Sequence, residues 1–278
     1  MKTATLPDGT PVPALGQGTW MMAEGRHARE DEIAALRAGM DAGMTLIDTA
    51  EIYAHGKSEE LVGEAIDGRR DEVFLVSKVA PHHASREGTR RACEASLKRL
   101  RTDRLDLYLL HWPGSIPLSE TVDALTQLKR DGLIRYWGVS NFDVEEMEAV
   151  FALPGGSDCA ANQILYNLEE RGPEFDLLPW LSERMVTPMA YSPAGQGGDL
   201  LDHPTLVKIA RHHKATPAQI ALAFLVDCDD VIAIPKAGSI EHVRQNAASA
   251  KITLTREDRH ALDAAFPPPQ EKQPLAVI

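Results

Sequence analysis

Eight short apolar, β-rich stretches recur along this chain with segments of helical periodicity between them, and few folds accommodate that alternation. The stretches occupy residues 14–20, 44–48, 73–78, 105–111, 134–141, 159–163, 186–192 and 231–236. They are apolar almost continuously rather than at every second residue. That pattern marks strands buried on both faces, as in a parallel sheet covered by helices. Helical periodicity fills 30–42, 86–100, 119–131 and 145–151. Eight strand–helix units close a sheet on itself, so the predicted fold is α/β: a single (β/α)8 TIM barrel, one domain over residues 1–278. An N-terminal β-hairpin is expected from Ala4-Thr5-Leu6, the turn Pro7-Asp8-Gly9 and Pro11-Val12-Pro13. Extra helices are expected toward the C-terminus. Thr216 caps a helix over Pro217–Val226, and the capping box Thr255-Arg256-Glu257-Asp258 opens a last one that Pro267-Pro268-Pro269 ends. No Pro/Gly/Ser-rich linker divides the chain.

In such a barrel chemistry gathers where the strands end. Reading each stretch to its end gives Asp48 with Tyr53 close behind, Lys78, His111, Ser140-Asn141, Gln163, Tyr191-Ser192-Pro193 and Lys236. Each alone has a bland explanation: Asp48 a loop acid, Lys78 a solvated strand terminus, His111 a structural histidine, Ser140-Asn141 a helix cap, Tyr191 a core aromatic. Together they define one polar rim. Trp20, Met21, Trp112 and Pro81 are the apolar residues placed to wall a pocket beside it.

Lys and Arg number 29 against 41 Asp and Glu, a net charge of −12, which argues against nucleic acid or an anionic membrane as partner. No apolar run reaches the roughly 18 residues of a membrane helix, and the opening segment lacks the apolar core of a secretory leader. Cys93, Cys159 and Cys228 have no metal-ligand spacing. The expectation is a cytoplasmic monomer with a small-molecule substrate and no metal. His82-His83 and His212-His213 are adjacent rather than four apart, so neither pair makes a zinc site. Gly56-Lys57-Ser58 looks like half a P-loop but has Glu51 where the first glycine should stand. No Gly-x-Gly-x-x-Gly occurs, which leaves a Rossmann site unsupported. An acidic chain that binds a phosphorylated cofactor must concentrate positive charge locally, and Lys236 is placed to do so.

Several motifs stand in a specific order: Gly16-Gln17-Gly18-Thr19-Trp20, Leu46-Ile47-Asp48-Thr49-Ala50-Glu51-Ile52-Tyr53, Ser77-Lys78, Leu109-Leu110-His111-Trp112-Pro113, Gly138-Val139-Ser140-Asn141-Phe142, Asn162-Gln163, Ala190-Tyr191-Ser192-Pro193 and Ile234-Pro235-Lys236. Over essentially the whole chain this resembles the aldo-keto reductases, most of all the small bacterial methylglyoxal-reductase and diketogluconate-reductase type members. The resemblance implies reduction of aldehydes and ketones (small aldehydes, dicarbonyls such as methylglyoxal, or keto sugars) with NADPH/NADP+ preferred over NADH. It implies Tyr53 as general acid, Lys78 tuning it, Asp48 holding Lys78, and His111 donating to the substrate oxygen. The cofactor-binding positions it implies are Gly18, Thr19, Trp20, Asp48, Ser140, Asn141, Gln163, Tyr191, Ser192, Pro193, Lys236, Ser239, His242, Gln245 and Asn246. Substrate would lie against Trp20, Met21, Tyr53, His111 and Trp112.

Two physical expectations go with this. Unit charges about 4 Å apart at an effective dielectric near 20 interact by about 4 kcal/mol, so Lys78 would lower the Tyr53 phenol by at most about three pH units, offset in part by Asp48. At the cofactor's adenosine end, the helix expected over 239–248 would turn its N-terminus toward a 2′-phosphate. Six residues after the lysine the family usually has arginine, but this chain has His242; only Arg244 stands near, so weaker discrimination between NADPH and NADH is expected. An alternative function is a redox-sensing, cofactor-binding subunit with little turnover. A phosphate-handling isomerase would need a glycine-rich phosphate loop, for which Gly195-Gln196-Gly197-Gly198 is the one candidate.

Overall fold

The computed structural model describes residues 1–278. A hairpin of β1 (Thr3–Thr5) and β2 (Pro11–Pro13) precedes eight parallel strands. These are β3 (Gln17–Gly18), β4 (Leu46–Asp48), β5 (Phe74–Val79), β6 (Leu105–Leu110), β7 (Ile134–Ser140), β8 (Cys159–Leu165), β9 (Thr187–Tyr191) and β10 (Ile232–Ala233), paired in chain order. The first and last meet across a short seam: Gly16 N–H donates to Ala233 O at 2.8 Å, and Gly18 N–H to Pro235 O at 3.0 Å. The expected eight-stranded barrel is therefore present. Strands β3 and β10 are shorter than their apolar stretches because the flanking residues meet only through single bridges, Leu15 with Ala233 and Gly18 with Lys236.

Helices α1 (Arg29–Asp41), α2 (Lys57–Ala65), α3 (Arg86–Leu100), α4 (Leu118–Arg130), α5 (Val144–Phe151) and α6 (Leu177–Glu183) each follow one strand. Both α7 (Pro204–His212) and α8 (Pro217–Val226) lie between β9 and β10, and α9 (Ile240–Ser249) and α10 (Arg256–Ala265) finish the fold. Thr216 caps α8 and the Thr255 capping box opens α10 as expected, and Thr216 also forms a capping box with Gln219. Helices α2, α6 and α7 were not anticipated. The fragment Gly56-Lys57-Ser58 is the start of α2, with Gly56 at φ +86° as its N-cap. No helix is long and apolar enough to cross a membrane.

Two apolar layers result. The larger fills the space between barrel and helices. The smaller is the barrel interior, where Leu46, Val76, Leu107, Leu109, Ala161, Met189, Ile232 and Ile234 pack with Ala4, Leu6 and Val12 of the hairpin. The hairpin thus stoppers the N-terminal mouth and leaves the opposite rim as the open end. Tyr136 Oη donates to Asp8 at the hairpin turn, and that bond chiefly lowers the Asp8 carboxyl to about 2.

One backbone detail sets the register at the rim. β7 shifts against β8 between Trp137 and Val139, so Ser140 faces Gln163. A Cβ on Gly138 would lie 2.3 Å from Ala161 O, so no side chain fits there. Overpacking of this kind costs about 1–3 kcal/mol. Gly138→Ala should therefore lower the melting temperature by several degrees at least; an unchanged thermal transition would show that the register is set elsewhere.

Candidate active site

Six polar residues of the rim sit two positions beyond a residue of the barrel interior: Leu46 then Asp48, Val76 then Lys78, Leu109 then His111, Ala161 then Gln163, Met189 then Tyr191, Ile234 then Lys236. Side chains two apart on a strand share a face. The site is the top layer of the barrel's own interior, polar where the layers beneath are apolar.

Lys78 has no solvent exposure. Its ammonium donates to Asp48 Oδ2 at 2.7 Å, Thr49 O at 2.9 Å and Tyr53 Oη at 3.1 Å, using all three N–H groups. Asp48 Oδ1 accepts from Gln163 Nε2 at 2.8 Å. A buried charge is tolerable only when paired and hydrogen-bonded in this way. Burial pushes the Lys78 ammonium toward neutrality, but Asp48 and then Tyr53 more than restore it, and its pKa lies above the usual lysine value. For Tyr53 burial is also the largest influence, and it outweighs the opposing ammonium, so the phenol is raised. The expected lowering by Lys78 is corrected: the attraction exists, but desolvation of a phenolate at the rim is larger.

Tyr53 lies on a single helical turn, Tyr53–Gly56, in which Ala54 and His55 adopt φ of +48° and +55°. Its oxygen accepts from Lys78 and has no other protein partner, which leaves its proton directed to the cavity. The His111 ring meets the Tyr53 ring edge-on at 5.6 Å between centroids. Burial first, and Lys78 second, lower its imidazolium to about 2, so the ring is neutral. Nδ1 is buried without a partner, and Nε2 is the nitrogen left to the cavity.

Asn141, in the left-handed region at φ +60°, donates from Nδ2 to His111 O and to Ser140 Oγ, each at 3.2 Å. Its Oδ1 accepts from Tyr191 Oη at 2.8 Å, and Ser140 Oγ donates to Gln163 O at 2.8 Å. One network therefore joins the ends of β4 through β9.

The cavity above measures about 870 Å³, large for a small carbonyl compound alone and within the range for a cofactor site. Gly18, Trp20, Met21, Asp48, Tyr53, His111, Trp112, Ser140, Asn141, Gln163, Tyr191, Ser192, Pro193, Lys236, His242, Gln245 and Asn246 all border it. Three of the expected catalytic and cofactor-binding positions do not. Lys78 is beneath the floor, behind Tyr53. Thr19 is fully buried, donating to Asp48 O and accepting from Ser58 Oγ, so it holds the end of β4 in place. Ser239 is the N-cap of α9, its Oγ accepting from His242 N–H. Pro81 lines a separate small cleft, and Arg244 does not reach the cavity. Sequence reasoning missed Arg26, Ile52, Gln196, the Thr216-Pro217-Ala218 start of α8 and Ile278, all of which border the cavity. They lie on loops, a helix end and the tail, outside a search confined to strand ends.

Comparison with known proteins follows the same lines. Residues 14–266 match the family model described as the aldo/keto reductase family. The chain is 50% identical over 271 residues to methylglyoxal reductase YeaE of Escherichia coli (strain K12), covering 96% of this chain and 95% of that protein. It is 35% identical to the glyoxal reductase of Bacillus subtilis (strain 168), covering 94% and 92%. An aldo/keto reductase crystal structure from Klebsiella pneumoniae, in complex with NADP and acetate, superposes with a TM-score of 0.96 at 50% identity over the whole of both chains.

Removing Lys78 strands Asp48 without a counter-charge, and breaking a buried pair from one side costs about 3–5 kcal/mol. Lys78→Met should lower the urea midpoint accordingly, and adding Asp48→Asn should recover part of the loss. A single variant as stable as the parent would mean that the pair is not ionised in the fold.

Proposed function

The chain belongs to the aldo/keto reductase family, and on that premise we propose that it reduces small aldehydes and ketones with NADPH, Tyr53 delivering the proton. Small aldehydes, dicarbonyls such as methylglyoxal, and keto sugars are the substrate classes. The similarity to proteins named methylglyoxal and glyoxal reductase supports the dicarbonyls first. The observation that carries the reading is the 3.1 Å bond from the buried Lys78 ammonium to a phenol oxygen that has no other protein partner and borders the cavity beside His111.

The residues present fit a nicotinamide dinucleotide. Lys236, half-buried at one end of the cavity, has no hydrogen-bond or ion-pair partner, as expected of a cation reserved for an anionic group. At the other end the amides of Asn141 and Gln163 and the hydroxyl of Ser140 match the donor and acceptor of a carboxamide. Tyr191 offers a ring face between them. When bound, the nicotinamide supplies hydride to the carbonyl carbon. His111 Nε2, neutral, orients the carbonyl oxygen by a hydrogen bond. Tyr53 gives its proton to that oxygen as negative charge develops, and the Lys78 ammonium stabilises the phenolate left behind. Asp48 and Thr49 keep the ammonium in place. Trp20, Trp112 and Ile52 form the more exposed part of the wall, where a small substrate has apolar surface to cover.

Tyr53→Phe should cut kcat for methylglyoxal reduction by about 100-fold or more while NADPH binding, followed by fluorescence, is retained. Undiminished turnover in that variant would remove the phenol from the mechanism. The acid form of Tyr53 is needed, and it persists below a pKa raised above the ordinary phenol range. His111 stays neutral down to about 2. With saturating substrates, kcat should therefore be level from about pH 5.5 to 8.5 and decline only in alkali. A decline centred near neutrality would assign the proton to another group.

A further inference from the structure

We infer that Arg26, on the loop between β3 and α1, is the second cation for the 2′-phosphate of NADPH, joining Lys236 from the neighbouring loop across the barrel seam and giving this chain selectivity over NADH. The inference rests on the cofactor reading above. It departs from the expectation that His242 in place of arginine leaves the discrimination weak.

Arg26 borders the same cavity as Lys236, His242, Gln245 and Asn246, whereas Arg244 does not. Its side chain is about half exposed, and its only carboxylate neighbour, Glu24, stands 3.9 Å from Nε, too far for a hydrogen bond. The guanidinium N–H groups are therefore open. Lys236 is likewise without a partner, so two cations face one stretch of cavity in a chain whose net charge is −12. Burial first, and Arg26 besides, hold the Lys236 ammonium below the usual lysine value, with Glu32 and Glu24 opposing. The two positive groups are thus near enough to repel, and a dianionic phosphate between them would remove that cost.

The loop that carries Arg26 is tied down. Ala23 N–H donates to the buried Glu32 Oε2 at 2.9 Å. The His27 ring lies against the backbone just past Lys236, so close that a Cβ on Gly238 would be 2.4 Å from its Cδ2. Arg26 is consequently held near the segment that leads from Lys236 into α9, whose His242, Gln245 and Asn246 border the same cavity. A group there meets the part of the dinucleotide in which NADPH and NADH differ.

The test is equilibrium binding of NADPH, NADH and adenosine 2′,5′-bisphosphate to the full chain, by calorimetry. Arg26→Ala should weaken NADPH and the bisphosphate by about tenfold, the effect of losing one charge-assisted contact, and leave NADH unchanged. Arg26→Lys should restore most of the affinity, and Arg244→Ala should match the parent for all three. Equal weakening of NADPH and NADH would place Arg26 on a phosphate common to both and overturn the inference, as would no weakening at all. If the parent binds neither dinucleotide, the cofactor reading itself fails and the inference with it.

Discussion

The fold can present a reactive phenol only because it can bury an ammonium beside it. Lys78 is wholly enclosed, and every proton on its nitrogen is taken by Asp48, Thr49 or Tyr53. A charge removed from water in this way is stable only against a fixed counter-charge. Gln163 from across the barrel fixes Asp48 in turn, and Thr19 pins the end of its strand. The catalytic geometry and the stability of the rim are therefore one arrangement.

Burial, more than any pairwise attraction, sets the protonation of the groups around that ammonium. It lifts the Tyr53 phenol despite the neighbouring cation, and it keeps the His111 imidazole neutral. Both results would suit the proposed reduction, in which one group must retain a proton to give and the other must donate a hydrogen bond without carrying charge. The same physics acts at Lys236, where burial and a second cation leave an ammonium short of compensation. The cavity is therefore bordered both by a neutral phenol and imidazole and by an unpaired ammonium.

Much of this was legible from residue order. The eight apolar stretches predicted the strands, and reading each to its end found Asp48, Lys78, His111, Ser140, Gln163, Tyr191 and Lys236 because a period of two continues from the apolar layers into the polar one. Where that period stops, the reading weakened. Thr19 was expected as a cofactor contact from the family resemblance, along with Gly18 and Trp20, but its side chain turns into the wall. Arg26 follows Trp20 by six residues on a loop with no repeat, and nothing local distinguishes it from other surface arginines. Gln196 and the start of α8 were overlooked for the same reason.

The order of residues alone determined that this chain forms a parallel α/β barrel and which side chains ride on its open rim, because strand periodicity and cap chemistry are local properties. Only closure of the barrel decided that three donors of one ammonium are all satisfied within about 3 Å, that burial raises the phenol above its usual range, and that Arg26 and Lys236 border one cavity. Hydrogen-bond distance, desolvation and charge repulsion depend on what lies near in space. Here those neighbours are separated by as many as 210 positions along the chain, from Arg26 to Lys236.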